Sequence, residues 1–328
     1  MQQLPCFLYE EGKHFALPEP LTSLRRVFSR FVQIAKDGRP TPDPAVFRMV
    51  THAEDAAVFL FPLDLGVYID SGAAESIGAV VAALPFFAGR ERRHILTDTS
   101  DSLETIPQPA CIFSTSILNN GRPDVIPMAY CVPEHSLANP PSFDWRAIRY
   151  DVSFVGNATH PVRRVMVASI RKEAPHLRLF VDFDSSTVID GNTCLHQPQS
   201  QEQDAYRKAL FCKSLLTSYC VLCPPGLGPQ SIRLYETMHA GRIPIIIEND
   251  SRRPLENIID YASFCCIIPK KSVLHTGTAL TAWFANQTQD SLRKRCTQAC
   301  RVWNTWFAQE KQNEALLNIA QRAYWQCE

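Results

Sequence analysis

Charge of one sign is what this chain has least to spare. Lys plus Arg and Asp plus Glu are each 33 in 328 residues, for a formal net charge of zero. A balanced total argues against the broad basic face that nucleic acid or an anionic membrane surface requires, and leaves room only for a local patch. Long apolar runs are lacking too. No stretch reaches the roughly 18 apolar residues of a membrane-spanning helix. The opening "MQQLPCFLYEEGKHFALPEP" breaks each apolar run with proline or charge, unlike a secretory leader. Metal-ligand spacing is also missing. The nine histidines form no H-E-x-x-H and read as structural or surface residues. The twelve cysteines are irregularly spaced, so no disulfide framework is implied. Cys220 and Cys223 form one C-x-x-C inside the apolar run "SYCVLCPP", without a second pair at zinc-ribbon distance. Cys296 and Cys300 stand four apart with no histidine at finger spacing. Reduced structural thiols and no bound metal are expected. No internal repeat or low-complexity segment occurs.

What is present is an ordinary globular composition, 45% hydrophobic and 20% charged. The length exceeds what one hydrophobic core usually serves, which favours two domains. Apolar runs of strand length at 56–64, 93–98, 110–116 and 124–130 alternate in the first half with a helix over 73–87. Residues 131–147, "CVPEHSLANPPSFDWRA", are rich in proline and polar residues and read as a linker. A second series follows: a strand at 150–156, a helix from Pro161 to about Glu173, the strand "LRLFVDF", and a helix around 204–217. It continues with the strand "YCVLCP", a helix from Ser231 to Ala240, and the strands "RIPIIIE" and "FCCIIP". Residues 278–328 read as mostly helical. Two successive α/β series split near residue 148 predict two doubly wound, Rossmann-like domains facing a cleft, 1–148 and 149–310.

The stretch "CPPGLGPQSIRLYETMHAGRIPIIIEND" (223–250) carries the most chemistry. Ser231 is a suitable N-cap and Gly241 stands where a left-handed residue ends a helix. Ile232, Tyr235 and Met238 can face the sheet, while Arg233 and Glu236, three apart, share another face. The loop Pro224-Pro225-Gly226-Leu227-Gly228 keeps bulky side chains from the helix N-terminus, whose free N–H groups and dipole attract an anion. Arg233 offers a bidentate fork for phosphate oxygens, and Glu236, one turn deeper, can accept from a ribose. The plain alternative is a tight turn with Arg233 and Glu236 forming a surface ion pair.

The same stretch resembles the signature of the exostosin family of glycosyltransferases. The matching residues are Cys223-Pro224-Pro225-Gly226, Ser231-Ile232-Arg233-Leu234-Tyr235-Glu236 and Gly241-Arg242-Ile243-Pro244-Ile245-Ile246. "RPLENIIDYASFCCII", "HAEDAAVFLFPLDL", "LPFFAGRERRHILTD" and "DVSFVGNATHPVRR" are similar to further blocks of that family, so the resemblance runs from about residue 50 to 275. Two positions depart from it: Pro225 replaces an arginine, which removes one phosphate contact, and Arg242 stands where cysteine is frequent.

The resemblance implies a GT-B architecture, with 311–328 as a C-terminal helix packing back on the first domain, and inverting transfer of a sugar from a nucleoside-diphosphate sugar, most often a UDP-sugar. The acceptor would be a hydroxyl of a glycan or small molecule, with no metal or other cofactor. Cytoplasmic location is expected for the chain as given, and the Golgi lumen if an anchor has been removed; homo- and heterodimers both stay open. Donor contacts are expected from Gly156, Asn157 and Arg163 or Arg164 in "GNATHPVRR", and from Pro224, Gly226, Gly228, Ser231, Arg233 and Glu236. The base should come from the N-terminal domain, with Asp98 directly after the strand "RHILT" first, and Asp101, Asp70 and His94 behind it. A carboxylate after a strand also serves commonly as a cap.

One competing motif is D-x-D at Asp182 and Asp184, the metal-binding pattern of GT-A transferases; about one such pattern is expected by chance in this chain, and it is read as a strand end. A non-catalytic exostosin-like subunit that stabilises an active partner is another reading. An epimerase lacks support because no N-terminal G-x-G-x-x-G is present. Trp303, Trp306 and Phe307 lie at helical spacing and are expected to pack helices rather than bind sugar.

Overall fold

The computed structural model describes residues 3–119, 121–132, 143–158, 160–184, 187–190, 193–196 and 200–325. The chain forms two compact units. One comprises Met1–Met128, Arg252–Pro254 and Gln309–Glu328; the other Ala129–Ser251 and Leu255–Ala308. The first break falls after Met128 rather than near residue 148. The rings of Tyr130, Phe143 and Trp145 account for this, because they pack on Tyr235, Gly241 and Tyr219 of the second unit. Most of the expected linker, 133–142, lies outside the described residues.

The first unit contains β1 (Leu4–Leu8), β2 (Val32–Ile34), β3 (Pro40–Pro42), β4 (Phe47–Met49), β5 (Val58–Asp64), β6 (His94–Asp98), β7 (Cys111–Ser114) and β8 (Val125–Pro127). Six of these make a parallel sheet in the order β4-β1-β5-β6-β7-β8, while β2 and β3 pair as a hairpin. Every residue of β5, "VFLFPLD", is buried, as expected of a central strand covered on both faces. Pro62 cannot donate to the ladder, and the β5–β6 register shifts between Leu60 and Asp64 around it. The short helix α1 (Gly66–Asp70) follows β5, then α2 (Ala74–Ala82), shorter than the 73–87 expected. At Gly66 a Cβ would lie 2.6 Å from the Ser100 amide nitrogen, so only glycine allows these two loops to approach.

The second unit contains β9 (Tyr150–Asn157), α3 (Pro161–Glu173), β10 (Leu179–Asp184), the hairpin β11 (Thr187–Asp190) and β12 (Thr193–His196), and α4 (Gln201–Leu216). Then come β13 (Ser218–Leu222), α5 (Ile232–His239), β14 (Ile243–Glu248), β15 (Cys266–Pro269), α6 (Thr276–Ala285) and α7 (Gln289–Val302). Its parallel sheet runs β10-β9-β13-β14-β15. Two doubly wound parallel sheets in one chain constitute the GT-B class of architecture.

The last helix, α8 (Gln309–Ala320), belongs to the first unit, where Leu316, Leu317 and Ala320 pack among Cys6, Leu8, Phe47 and Val58. Asn313 ties it down, accepting from Arg30 Nε at 2.9 Å and donating to Asp43 at 2.8 Å. Trp303 and Phe307 are buried against His239 and Tyr235 on α5, so these rings pack helices. No described helix is long and apolar enough to cross a membrane.

Arg242 is the largest fully buried side chain, 1% exposed. Its guanidinium donates to the carbonyls of Leu215 (2.9 Å) and Leu216 (3.0 Å) at the end of α4, and of Gly241 (2.9 Å) and Ala240 (3.4 Å) at the end of α5. One cation thus answers the orphan carbonyls and the negative dipole ends of two helices. Gly241 completes the turn with φ +63, and a Cβ there would meet Phe143 at 2.6 Å. Arg242→Lys keeps the charge but loses the planar fork that spans both helix ends. It should lower unfolding free energy by about 2–4 kcal/mol, read from the urea midpoint. An unchanged midpoint would contradict this account.

Candidate active site

In the second sheet the chain reverses direction between β9 and β13, which pair directly through Tyr150↔Ser218 and Cys220↔Val152. Ligands of open α/β sheets bind outside the carboxyl ends of strands at such a switch point. The loops leaving these strands are "GNATHP" and "CPPGLGPQ".

Each loop is fixed locally. His160 is the N-cap of α3, its Nδ1 accepting from the Val162 N–H at 3.3 Å, and Pro161 fills the first helical position, where no N–H is needed. In the other loop Pro224, Pro225 and Pro229 restrict the backbone. Asn249 Nδ2 donates to Pro229 O at 2.7 Å, and Tyr235 Oη to Gln230 Oε1 at 2.7 Å. Ser231 is the N-cap residue of α5, but its side chain makes no capping bond, so the helix's first N–H groups face the loop without it. Pro224 and Gly228 are buried parts of that loop. On α5, Tyr235 and Met238 are buried as expected. Ile232 is 39% exposed instead, and Leu234 takes the buried place.

Two arginines meet two glycines at this point. Arg233 lies against Gly156 so closely that a Cβ on that glycine would stand 2.5 Å from its Nη2. Arg163 lies against Gly226, with its Nη2 3.3 Å from where a Cβ would be. Arg163 also donates through Nε to the Pro225 carbonyl (3.3 Å) and through Nη1 to the Asn157 side chain. Arg164 turns away to the Ala158 carbonyl.

Arg233 is deep-set yet keeps some surface open to solvent, and its Nε is buried without a hydrogen-bond partner. Its Cζ stands 4.6 Å from the Phe154 ring centroid and 5.5 Å from that of Phe211 on α4. Burial lowers its pKa, partly offset by the Glu236 charge. Burial likewise raises the Glu236 pKa, with Arg233 pulling it back. No ion pair or hydrogen bond joins these two side chains among the described residues, so the surface-pair alternative does not describe them. The arrangement is a recessed cation beside a helix N-terminus, with a carboxylate one turn deeper.

The base candidates of the first unit separate by geometry. Asp98 ends β6 as expected, but it is 1% exposed and its oxygens accept from Ser100 N (2.9 Å) and Ser114 Oγ (3.1 Å). Burial pushes its pKa up to about 7. His94 is a correction. It begins β6, at the sheet edge opposite the ligand edge, and is fully buried with its ring 4.8 Å from Phe59. Both of its nitrogens are engaged, by Tyr9 Oη and the Arg90 carbonyl. Burial lowers its pKa to about 4, so it is a core histidine. Asp70, at the end of α1, is half-buried with Oδ1 unpartnered. Burial and then the Asp101 charge raise its pKa to about 6.

Asp182 lies 3.7 Å from Arg207, and the Asp184 side chain falls outside the described residues. Among the described residues, no group of three or more His, Cys, Asp or Glu could hold a metal. Cys220 and Cys223 are buried thiols, Cys223 donating to Val221 O and lying 3.4 Å from Thr237 Oγ1.

Phe154 and Phe211 were not anticipated from the sequence. A phenylalanine in an apolar strand or on a helix gives no signal until its distant partner is known.

Residues 150–283 match the family model of the Exostosin GT47 domain. No curated protein matches the chain. Among solved structures it is similar to AviGT4, a glycosyltransferase involved in avilamycin A biosynthesis, at 13% identity and TM-score 0.41, covering 82% of this chain and 75% of that one. It is also similar to a glycosyltransferase from Rickettsia africae ESF-5, at 10% identity and TM-score 0.39, covering 70% of each chain. TarM follows at 10% identity and TM-score 0.37, covering 71% of this chain and 55% of that one. Likeness at these scores adds nothing to the geometry.

The Gly156–Arg233 contact can be tested without unfolding the protein, because the atom a new Cβ would strike is the far end of a flexible side chain. Gly156→Ala should leave the melting temperature nearly unchanged and weaken pyrophosphate binding about tenfold, the loss of roughly one charged hydrogen bond. Parental affinity in a folded variant would show that Arg233 does not need this position.

Proposed function

We propose that the chain, whose residues 150–283 match the family model of the Exostosin GT47 domain, transfers a sugar from a UDP-sugar, with inversion, to a hydroxyl of a glycan or small-molecule acceptor. The observation that carries the donor assignment is Arg233, recessed at the switch point beside the N-terminus of α5 with its Nε unpartnered. A diphosphate supplies the negative oxygens that fit there.

In this reading the acceptor oxygen attacks the anomeric carbon as the bond to the β-phosphate oxygen breaks, and the electron pair leaves with UDP. The helix dipole, Arg233 and Arg163 stabilise the charge that develops on the diphosphate, so the reaction needs no metal. Arg163 also answers the departure at Pro225. Where the family resemblance places an arginine, this chain holds a guanidinium from α3 on the Pro225 carbonyl. That substitution of position favours a working donor site over a non-catalytic subunit. Glu236 accepts from the ribose hydroxyls. Because burial raises its pKa, nucleotide affinity should fall at a higher pH than for an exposed glutamate.

We assign the base to Asp70 of the first unit in preference to Asp98, whose carboxylate is enclosed and already bonded. Asp70 is only half-buried and its Oδ1 has no hydrogen-bond partner; with its pKa raised to about 6, it is ionised and able to take a proton at neutral pH.

Two measurements test these roles. Arg233→Ala should weaken UDP and pyrophosphate binding by about 1.5–3 kcal/mol in calorimetry, and unaltered affinity would remove Arg233 from the donor site. Asp70→Asn should leave UDP affinity intact while turnover falls about 10²–10⁴-fold. The parent's rate should drop as pH falls through about 6, and the variant should lack that limb. The raised pKa means the carboxyl favours folding below its unfolded-state pKa and loses that contribution as pH rises through about 6. Asn therefore costs little stability at neutral pH. Parental turnover in the variant would eliminate Asp70.

A further inference from the structure

Two aromatic rings and a glycine flank the Arg233 guanidinium, while Glu236 acts on it through its charge without a hydrogen bond. The Phe154 ring centroid stands 4.6 Å and the Phe211 centroid 5.5 Å from its Cζ, and Gly156 leaves open the space its Nη2 occupies. Phe154 is fully buried in the core of the second unit, on β9. Phe211 is different. It is half-buried, lies on α4, and comes from a part of the chain that contributes no charged group to the anion site.

An arginine side chain has many rotamers, and a solvent-facing one spends them freely. Aromatic faces within about 6 Å attract the guanidinium through the ring quadrupole and restrict it without consuming its N–H groups. The planar fork then stays whole for an incoming anion. A carboxylate in place of either ring would hold the arginine more tightly but would compete with the ligand for the same N–H groups. Cys212, the next residue, lies close enough to Glu236 for the carboxylate's charge to raise its pKa, which places this turn of α4 beside both functional side chains of α5.

We infer that Phe211 is a positioning residue of the donor site, its ring holding the Arg233 guanidinium in the orientation that receives the diphosphate. The inference rests on the donor-site reading above and extends the site from two loops to a third element, α4. Phe211 touches no phosphate itself. Its effect passes through the cation, so it should vanish when that cation is removed.

The experiment is a double-mutant cycle read by calorimetry with inorganic pyrophosphate and with UDP. Phe211→Leu should weaken both ligands about 5- to 30-fold, and Phe211→Tyr, which keeps the aromatic face, should bind like the parent. Phe211→Met is the companion variant: it keeps most of the volume without a π face and should behave like Phe211→Leu, so the test survives poor folding of one variant. In an Arg233→Met background, which has no cation, Phe211→Leu should change affinity less than about twofold. Parental affinity in the Phe211→Leu or Phe211→Met protein overturns the inference and leaves the donor site standing. An equal loss in the Arg233 and Arg233→Met backgrounds also overturns it, because the effect would then travel through the fold. If the parent binds neither pyrophosphate nor UDP, the donor-site reading fails and takes this inference with it.

Discussion

A glycine after each of two adjacent strands makes room for an arginine that starts from the other strand's helix. Gly156 receives Arg233 of α5, and Gly226 receives Arg163 of α3. The crossing draws the two loops at the switch point together and gathers two cations where the sheet opens. At Gly156 nothing but hydrogen fits if the guanidinium is to stay, whereas at Gly226 a Cβ would displace Arg163 by only a few tenths of an ångström. Surrounding features follow from this requirement. Prolines stiffen one loop, His160 caps the helix of the other, and Tyr235 anchors Gln230 while resting on Phe307. Burying a cation is costly. Backbone carbonyls offset that cost at Arg163, and aromatic faces together with the Glu236 charge at Arg233.

Most of the two sheets was legible in the sequence, because β5 to β10 and β13 to β15 are apolar runs bounded by turn residues. β1 and β4 escaped notice, having only five and three residues between prolines and charges. The hairpin β11–β12 was passed over for the same reason. Arg233 and Glu236 could be found since loop, cap and helix are contiguous in the chain. The rings around Arg233 could not, because residues 154, 211 and 233 meet only through strand order and helix placement. His94 was misjudged from proximity in sequence to Asp98. The five residues of β6 put His94 at one edge of the sheet and Asp98 at the other, a distinction that strand direction makes and composition does not.

Arg242 illustrates how a departure from a family pattern can be structural. At the start of β14 it stands where two helices end side by side, and four carbonyl oxygens converge on its fork. The N-terminus of α5 lies at the switch point of the sheet, and its C-terminus is closed at the opposite end. Arg242 performs that closure from inside the core and couples the end of α4 to the end of α5. The two helices that carry Phe211 and Arg233 are thereby fastened at their far ends by a single side chain.

The return of α8 to the first unit sets the order in which the protein can be assembled. During synthesis β1 to β8 emerge before any residue of the second unit, yet the floor of their sheet stays open until Leu316, Leu317 and Ala320 arrive. The strands made first must therefore wait, with Cys6, Leu8 and Val58 uncovered, while nearly 200 further residues leave the ribosome, as the numbering from Met128 to Gln309 shows. The second unit lacks only Leu255–Ala308 at the corresponding stage and can close its own core earlier. The half of the molecule born first is the half completed last, and its waiting apolar floor is the surface that a chaperone would meet.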